Sequence, residues 1–124
     1  MRLAGKVAII TGAGAGIGKA TAIKFAQEGA KVAVCDVNDK GTNEVAGEIN
    51  KAGGTALAFH VDVCSKESIA AMVDAVKKAW GRIDTLVNNA GIVQDAQLKK
   101  MADEQFDRVI DVNLQGSYYC AKAV

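Results

Sequence analysis

The chain has 124 residues, 50% of them hydrophobic and 23% charged, with a formal net charge of +1. That is one domain's length with a globular balance, which excludes a disordered chain and supplies no electrostatic pull toward nucleic acid or an anionic membrane. The three cysteines, Cys35, Cys64 and Cys120, lack close spacing, which argues against a disulfide framework or a zinc site, so no metal is expected.

The predicted elements alternate. Val7–Ile10 is a short apolar run of the kind found in a strand covered on both faces. A helix follows over Ile17–Glu28, with Ile17, Ala20, Ile23, Phe25 and Ala26 as its apolar positions and Gly29 as its stop. Lys31–Asp36 is a second strand, Asp39–Ala52 a second helix closed by Gly53 and Gly54, and Ala56–Val61 a third strand. Ser65–Trp80 is the clearest helix, carrying Ile69, Met72, Val73, Val76 and Trp80 along one side, with Ser65 as its N-cap and Gly81 as its end. Thr85–Val87 is a fourth strand. After a loop from Asn89 to about Lys100, a last helical pattern runs from Asp103 to Val124.

Strands of buried type alternating with helices predict βαβ units, a parallel sheet and right-handed crossovers. The expected fold is α/β: a Rossmann-like, doubly wound sheet in three layers, with strand order 3-2-1-4 and a single domain over residues 1–124. The segment Ser117–Val124 reads as mid-helix without a cap or a polar tail, so the natural protein is expected to continue. The 124 residues alone, with a fourth strand left as an open edge, are expected to aggregate or oligomerise. No apolar run reaches the roughly 20 residues of a membrane helix, and no signal-peptide pattern opens the chain; a cytoplasmic protein is expected.

The first βα turn reads Thr11-Gly12-Ala13-Gly14-Ala15-Gly16-Ile17-Gly18. Glycines here allow close backbone approach, and the free amides of the following helix favour an anion, of which a pyrophosphate fits best. A tight packing turn is the plainer reading. Asp36, at the end of the second strand, stands where a carboxylate accepts ribose hydroxyls, with Val37 beside it, and it would repel a 2′-phosphate. Ala15 brings no basic side chain to the turn, so NAD is expected over NADP. Asp62 and Val63 are placed to flank an adenine ring, although an Asx turn would explain Asp62 equally well. Asn88-Asn89-Ala90-Gly91 closes the fourth strand; bracing is expected of Asn88, and cofactor proximity of Asn89, Ala90 and Gly91. His60, the sole histidine, reads as a packed or edge strand residue, and Cys35 as a buried filler.

Taken together, Thr-Gly-x-x-x-Gly-Ile-Gly, Asp36, Asp62-Val63, Asn88-Asn89-Ala90-Gly91 and Asn113 resemble the short-chain dehydrogenase/reductase family along the whole chain. The stretches Gly91–Met101 and Phe106–Leu114 most resemble 3-oxoacyl-acyl-carrier-protein reductases. The resemblance implies hydride transfer between a nicotinamide and a carbonyl or secondary alcohol, with a 3-oxoacyl thioester as the most specific substrate and a homo-oligomer, dimer or tetramer, as the assembly. It also implies that Asn113 is the tetrad asparagine that kinks its helix and holds a proton-relay water. The family's serine and Tyr-x-x-x-Lys lie beyond a fifth strand. Tyr118 and Lys122 share that spacing but come too early, and they read as surface or subunit-contact residues. The 124 residues alone are therefore expected to be inactive. A nucleotide-binding module without turnover, or a structural piece that needs a partner, remains open.

Overall fold

The computed structural model describes residues 2–90, 103–104, 107 and 116–124. Their elements are β1 (Val7–Thr11), α1 (Gly16–Gln27), β2 (Lys31–Asp36), α2 (Asp39–Lys51), β3 (Thr55–His60), α3 (Lys66–Trp80), β4 (Thr85–Val87) and α4 (Gly116–Ala123). Residues 103, 104 and 107 are also helical, in keeping with part of the last predicted helix. Every strand pairing is parallel, and the sheet order is β3-β2-β1-β4. The Rossmann-like order expected from the strand pattern is the one observed.

Strand alternation divides the interior into two cores. Val7 and Ile9 of β1 join Ala33 and Cys35 of β2, then Ile69, Met72, Val73 and Val76 of α3 and Cys120 of α4. Ile10 faces the other way, with Val32, Val34 and Ala56, against Ala22 and Ala26 of α1 and Val45, Ala46 and Ile49 of α2. Helices therefore cover both faces of the sheet, giving three layers. Each fully buried Val or Ile side chain stabilises the fold by roughly 1.5–3 kcal/mol relative to exposure, which is why β1, buried along its whole length, anchors the structure.

The predicted apolar face of α1 holds at Ala26, which is buried, and at Ile23 and Phe25, which are partly buried against the same core, and needs correction at Ile17 and Ala20. Its buried residues are Gly18, Ala22 and Ala26, whereas Ile17 is 79% exposed and Ala20 is exposed. Small residues let α1 lie close against the sheet, and Ile17 is left over the turn instead of in the core. Of the predicted core pair on α3, Met72 is buried and Trp80 is partly buried against the same cluster. Ser65 caps α3 as expected, its hydroxyl accepting from the Ser68 amide at 3.2 Å, and Gly81 ends it at φ +76°.

Because the strands are parallel, Thr11, Asp36, His60 and Val87 all arrive at one edge of the sheet. Such carboxyl edges, where the chain reverses its direction of winding, are where open α/β sheets receive ligands.

Candidate functional site

The turn between β1 and α1 forms the floor of that edge. Gly12 has φ +64°, and a Cβ there would sit 2.9 Å from the Ala90 Cα. Gly18 is tighter still: a Cβ would meet the Gly12 carbonyl oxygen at 2.3 Å and the Asn89 Nδ2 at 2.5 Å. Gly18 therefore requires glycine for close approach alone, and Gly12 for close approach and for its left-handed backbone conformation. Gly16 has φ +60° and is exposed like Ala15. Ala15 is the N-cap of α1, in extended conformation and without a side-chain hydrogen bond to the helix. The first-turn amides of α1, at the positive end of its dipole, thus receive no hydrogen bond from the N-cap side chain and face the glycine-lined turn.

Asp36 closes one side. Its Oδ2 accepts from the Gly14 amide at 2.9 Å, and its Oδ1 accepts from the Val37 amide at 2.7 Å and the Asn38 amide at 3.3 Å. Three backbone donors fix the carboxylate at the rim of the turn while leaving lone pairs for a further donor. Val37, next to it, is 57% exposed. Asn38 caps α2 by accepting from Gly41 at 3.1 Å. A Cβ on Gly41 would meet the Gly14 carbonyl oxygen at 2.7 Å. Gly41 thus lets α2 approach the turn, a requirement that the sequence signalled only by a glycine inside a predicted helix.

On the other side, the loop after β4 is tied to the turn. Thr11 is the node. Its Oγ1 donates to the Val87 carbonyl at 3.3 Å and accepts from the amides of Asn89 and Ala90, each at 3.1 Å. Asn89 Nδ2 donates to the Gly12 carbonyl at 3.1 Å. The bracing expected of Asn88 is thus performed by Asn89, and Asn88 is exposed. Thr11 was given no role from sequence. The available signal was a hydroxyl residue at the end of an otherwise apolar buried strand, where it needs a partner.

Asp62 forms the turn after β3, its Oδ1 accepting from the Cys64 amide at 2.9 Å, so the Asx reading holds for at least one of its oxygens. Its backbone position is at the same edge, and the residue is exposed. Val63 is 7% exposed and packs closely on Gly116, where a Cβ would meet Val63 Cγ2 at 2.5 Å. Gly91 and Asn113 lie outside the described residues.

The remaining sequence candidates sort out simply. Tyr118 is 59% exposed, with the Lys122 ammonium 5.9 Å from its ring centroid, a surface pair as expected. Cys35 is buried, and burial, with Cys120 and Asp36 nearby, pushes its thiol far above the usual range. Burial pushes Cys120 up to about 11. Neither is a thiolate nucleophile near neutral pH. His60 ends the edge strand, and its Nδ1 lies 2.7 Å from Asp39 Oδ1. Among the described residues no cluster of His, Cys, Asp and Glu could hold a metal ion, and no helix is long and apolar enough to cross a membrane.

A glycine-lined turn under an uncapped helix, an amide-fixed carboxylate and a braced loop fit a dinucleotide lying across the edge, its pyrophosphate on the turn and a ribose at Asp36. Comparison with known proteins gives the family. The chain is 45% identical over 122 residues to the uncharacterized oxidoreductase YxbG of Bacillus subtilis, covering 98% of this chain and 45% of that protein. It is 44% identical over 124 residues to the 3-oxoacyl-[acyl-carrier-protein] reductase FabG of Thermotoga maritima, covering 100% of this chain and 50% of that one. A solved 7α-hydroxysteroid dehydrogenase, complexed with NADH and 7-oxo glycochenodeoxycholic acid, superposes with a TM-score of 0.94 at 41% identity, over 99% of this chain and 48% of that one. The chain thus spans about half the length of the relatives it matches. With residues 6–124 also matching the short chain dehydrogenase family, the chain belongs to that family.

Proposed function

We propose that the protein carrying this chain is an NAD-dependent oxidoreductase that moves a hydride between the nicotinamide and a carbonyl or secondary alcohol. The observation that carries this reading is the Asp36 carboxylate, held by the amides of Gly14, Val37 and Asn38 at the rim of the glycine turn. The bound cofactor supplies or accepts the hydride; the chain's own work is to hold it. The amides of Gly14, Ala15, Gly16, Ile17 and Gly18 receive the pyrophosphate. Asp36 accepts the ribose hydroxyls, with Val37 beside it. Asp62 and Val63 border the adenine. Asn89, Ala90 and Gly91 line the nicotinamide side, while Asn113 holds a water for proton relay. A 2′-phosphate beside Asp36 meets like charge with no basic side chain at Ala15 to offset it, which favours NAD over NADP.

A 3-oxoacyl thioester is the proposed substrate class, supported by the 44% identical relative named as a 3-oxoacyl-[acyl-carrier-protein] reductase. Other secondary alcohols are the second reading, favoured by the comparable likeness to a hydroxysteroid dehydrogenase. We assign catalysis to the full-length protein, acting in the cytoplasm as a homo-oligomer, and expect the 124 residues alone to bind cofactor without turnover.

Asp36→Asn tests the reading by calorimetric titration with NAD⁺ and NADP⁺. Loss of a charged acceptor weakens NAD⁺ binding by about tenfold and strengthens NADP⁺ binding. Tighter binding of NADP⁺ than NAD⁺ by the unmodified protein would overturn the cofactor assignment. Turnover of a 3-oxoacyl thioester against a panel of cyclic secondary alcohols separates the two substrate readings.

A further inference from the structure

The second helix is seated on the glycine turn, and the seat runs through the carboxylate. Gly41 is the third residue of α2 and is buried. It is not among the glycines with positive φ, so its backbone conformation does not call for glycine, and a glycine inside a helix costs stability relative to alanine. What excludes a larger residue is the turn: a Cβ on Gly41 would lie 2.7 Å from the Gly14 carbonyl oxygen and 3.1 Å from the Gly14 Cα. Gly14 is confined on its other side as well. A Cβ there would lie 2.8 Å from Asp36 Oδ2, the oxygen to which its amide donates at 2.9 Å. Asn38 closes the circuit: its side chain accepts from the Gly41 amide at 3.1 Å, and its own amide donates to Asp36 Oδ1 at 3.3 Å. Asp36, Gly14, Gly41 and Asn38 thus form one ring of contacts, and neither glycine in it has room for a side chain. Gly47, in the same helix, is exposed with open space around it.

We propose that Gly41 is a positioning residue for the cofactor: lacking a side chain, it lets the first turn of α2 press on Gly14, and this contact fixes the direction of the Asp36 carboxylate. This rests on reading Asp36 as the ribose ligand. A methyl group on Gly41 forces α2 and Gly14 apart, and α2 carries Asn38 with it, because the two are joined at the cap. Gly14 donates to Oδ2 and Asn38 to Oδ1, so the carboxylate then turns or loses a donor. Either change disturbs the acceptor offered to the ribose while leaving the residues that accept and donate the same.

The test is a double-mutant cycle on the full-length protein, Gly41→Ala against Asp36→Asn, read by calorimetric titration with NAD⁺. Gly41→Ala should weaken NAD⁺ binding about tenfold in the unmodified background and less than about twofold in Asp36→Asn, where the charged acceptor is already gone. Partial unfolding or a general distortion of the turn lowers affinity by the same factor in both backgrounds, so the difference isolates action through Asp36. Gly47→Ala is the control in the same helix. It should raise the urea midpoint, as alanine replaces an exposed helical glycine, and leave NAD⁺ binding within about twofold. Where Gly41→Ala does not fold, Asn38→Ala opens the same ring by removing the acceptor of the Gly41 amide. It should weaken NAD⁺ binding about threefold, and less than about twofold in Asp36→Asn. Equal losses in the two backgrounds, or binding by Gly41→Ala within about twofold of the unmodified protein, overturn the role of Gly41 and leave the Asp36 reading intact. Binding of NAD⁺ by Asp36→Asn as tight as that of the unmodified protein overturns the ribose reading and this role with it.

Discussion

Three helices begin at or near the carboxyl edge of the sheet, and they begin in two different ways. Asn38 and Ser65 each turn a side-chain oxygen back onto a first-turn amide of α2 and α3, at Gly41 and Ser68. At α1 the corresponding residue is Ala15, which has no oxygen to give. An uncapped start forgoes on the order of 1 kcal/mol of helix stability. Here it coincides with the glycine turn, with Ile17 left exposed above it. The capped starts spend a first-turn amide on the chain's own side chains, whereas the bare start leaves its first-turn amides without a side-chain cap, in keeping with the proposed anion site. The same division runs through the glycines: Gly81, which ends α3, has open space around it, while Gly18 sits against the Gly12 carbonyl.

The largest expected effect comes from spoiling the bare end. In Gly18→Ala the new methyl group falls 2.3 Å from the Gly12 oxygen and 2.5 Å from Asn89 Nδ2. The first of these is backbone and the second is the side chain that braces the β4 loop, so neither yields freely. Both the turn and the loop must move. Stability should drop by about 3 kcal/mol in urea denaturation, and NAD⁺ binding should fall beyond calorimetric detection. Binding within about threefold of the unmodified protein, a difference of well under 1 kcal/mol, would mean that the close approach at Gly18 serves packing only.

A smaller and more pointed change makes the bare end resemble the other two. Ala15→Asp supplies a capping carboxylate at an exposed, extended position. It should raise the stability of the unliganded protein by up to about 1 kcal/mol, through the cap and the helix dipole. At the same time it should weaken NAD⁺ binding more than about tenfold, because a fixed carboxylate occupies the place of the pyrophosphate and repels it. A gain in both stability and affinity would show that the anion is held elsewhere.

Much of this division was legible in the sequence. The apolar runs Val7–Ile10 and Val32–Cys35 read as covered strands, and the strand order followed once their alternation with helices was taken as a doubly wound fold. The glycine turn and Asp36 stood out because their spacing carries a mechanism. What escaped notice was the side of a residue's role that depends on its neighbours in space. Thr11 looked like the first letter of a turn, but it is a three-bonded node, since Val87, Asn89 and Ala90 come to it from the far end of the chain. Two adjacent asparagines carry the same chemistry, and only the geometry of the loop shows that Asn89 turns inward to brace it. Ile17 fitted a helical stripe by spacing, yet the inner face of α1 is made by Gly18, Ala22 and Ala26, and Ile17, in the first turn, falls outside it. The pairing of His60 with Asp39 joins residues 21 apart in the chain through the β2–β3 register, which no local pattern encodes.

The smallest effect belongs to a capped end, and its value lies in what it leaves unchanged. Ser65→Ala removes the hydroxyl that accepts from Ser68 at 3.2 Å and leaves that amide to water. The expected loss is about 1 kcal/mol of stability, near the middle of the range for such caps. Because Ser65 lies after the Asp62 turn and on the α3 side of the sheet, away from the glycine turn, NAD⁺ binding should stay within about twofold of the unmodified value, which is less than 0.5 kcal/mol. A cap lost at α3 and a cap gained at α1 then alter stability by similar amounts in opposite directions, and only the change at α1 reaches the cofactor. If Ser65→Ala weakened NAD⁺ binding as strongly as Ala15→Asp, the edge would have to be treated as one cooperative unit, and the contrast between bare and capped helix ends would lose its functional meaning.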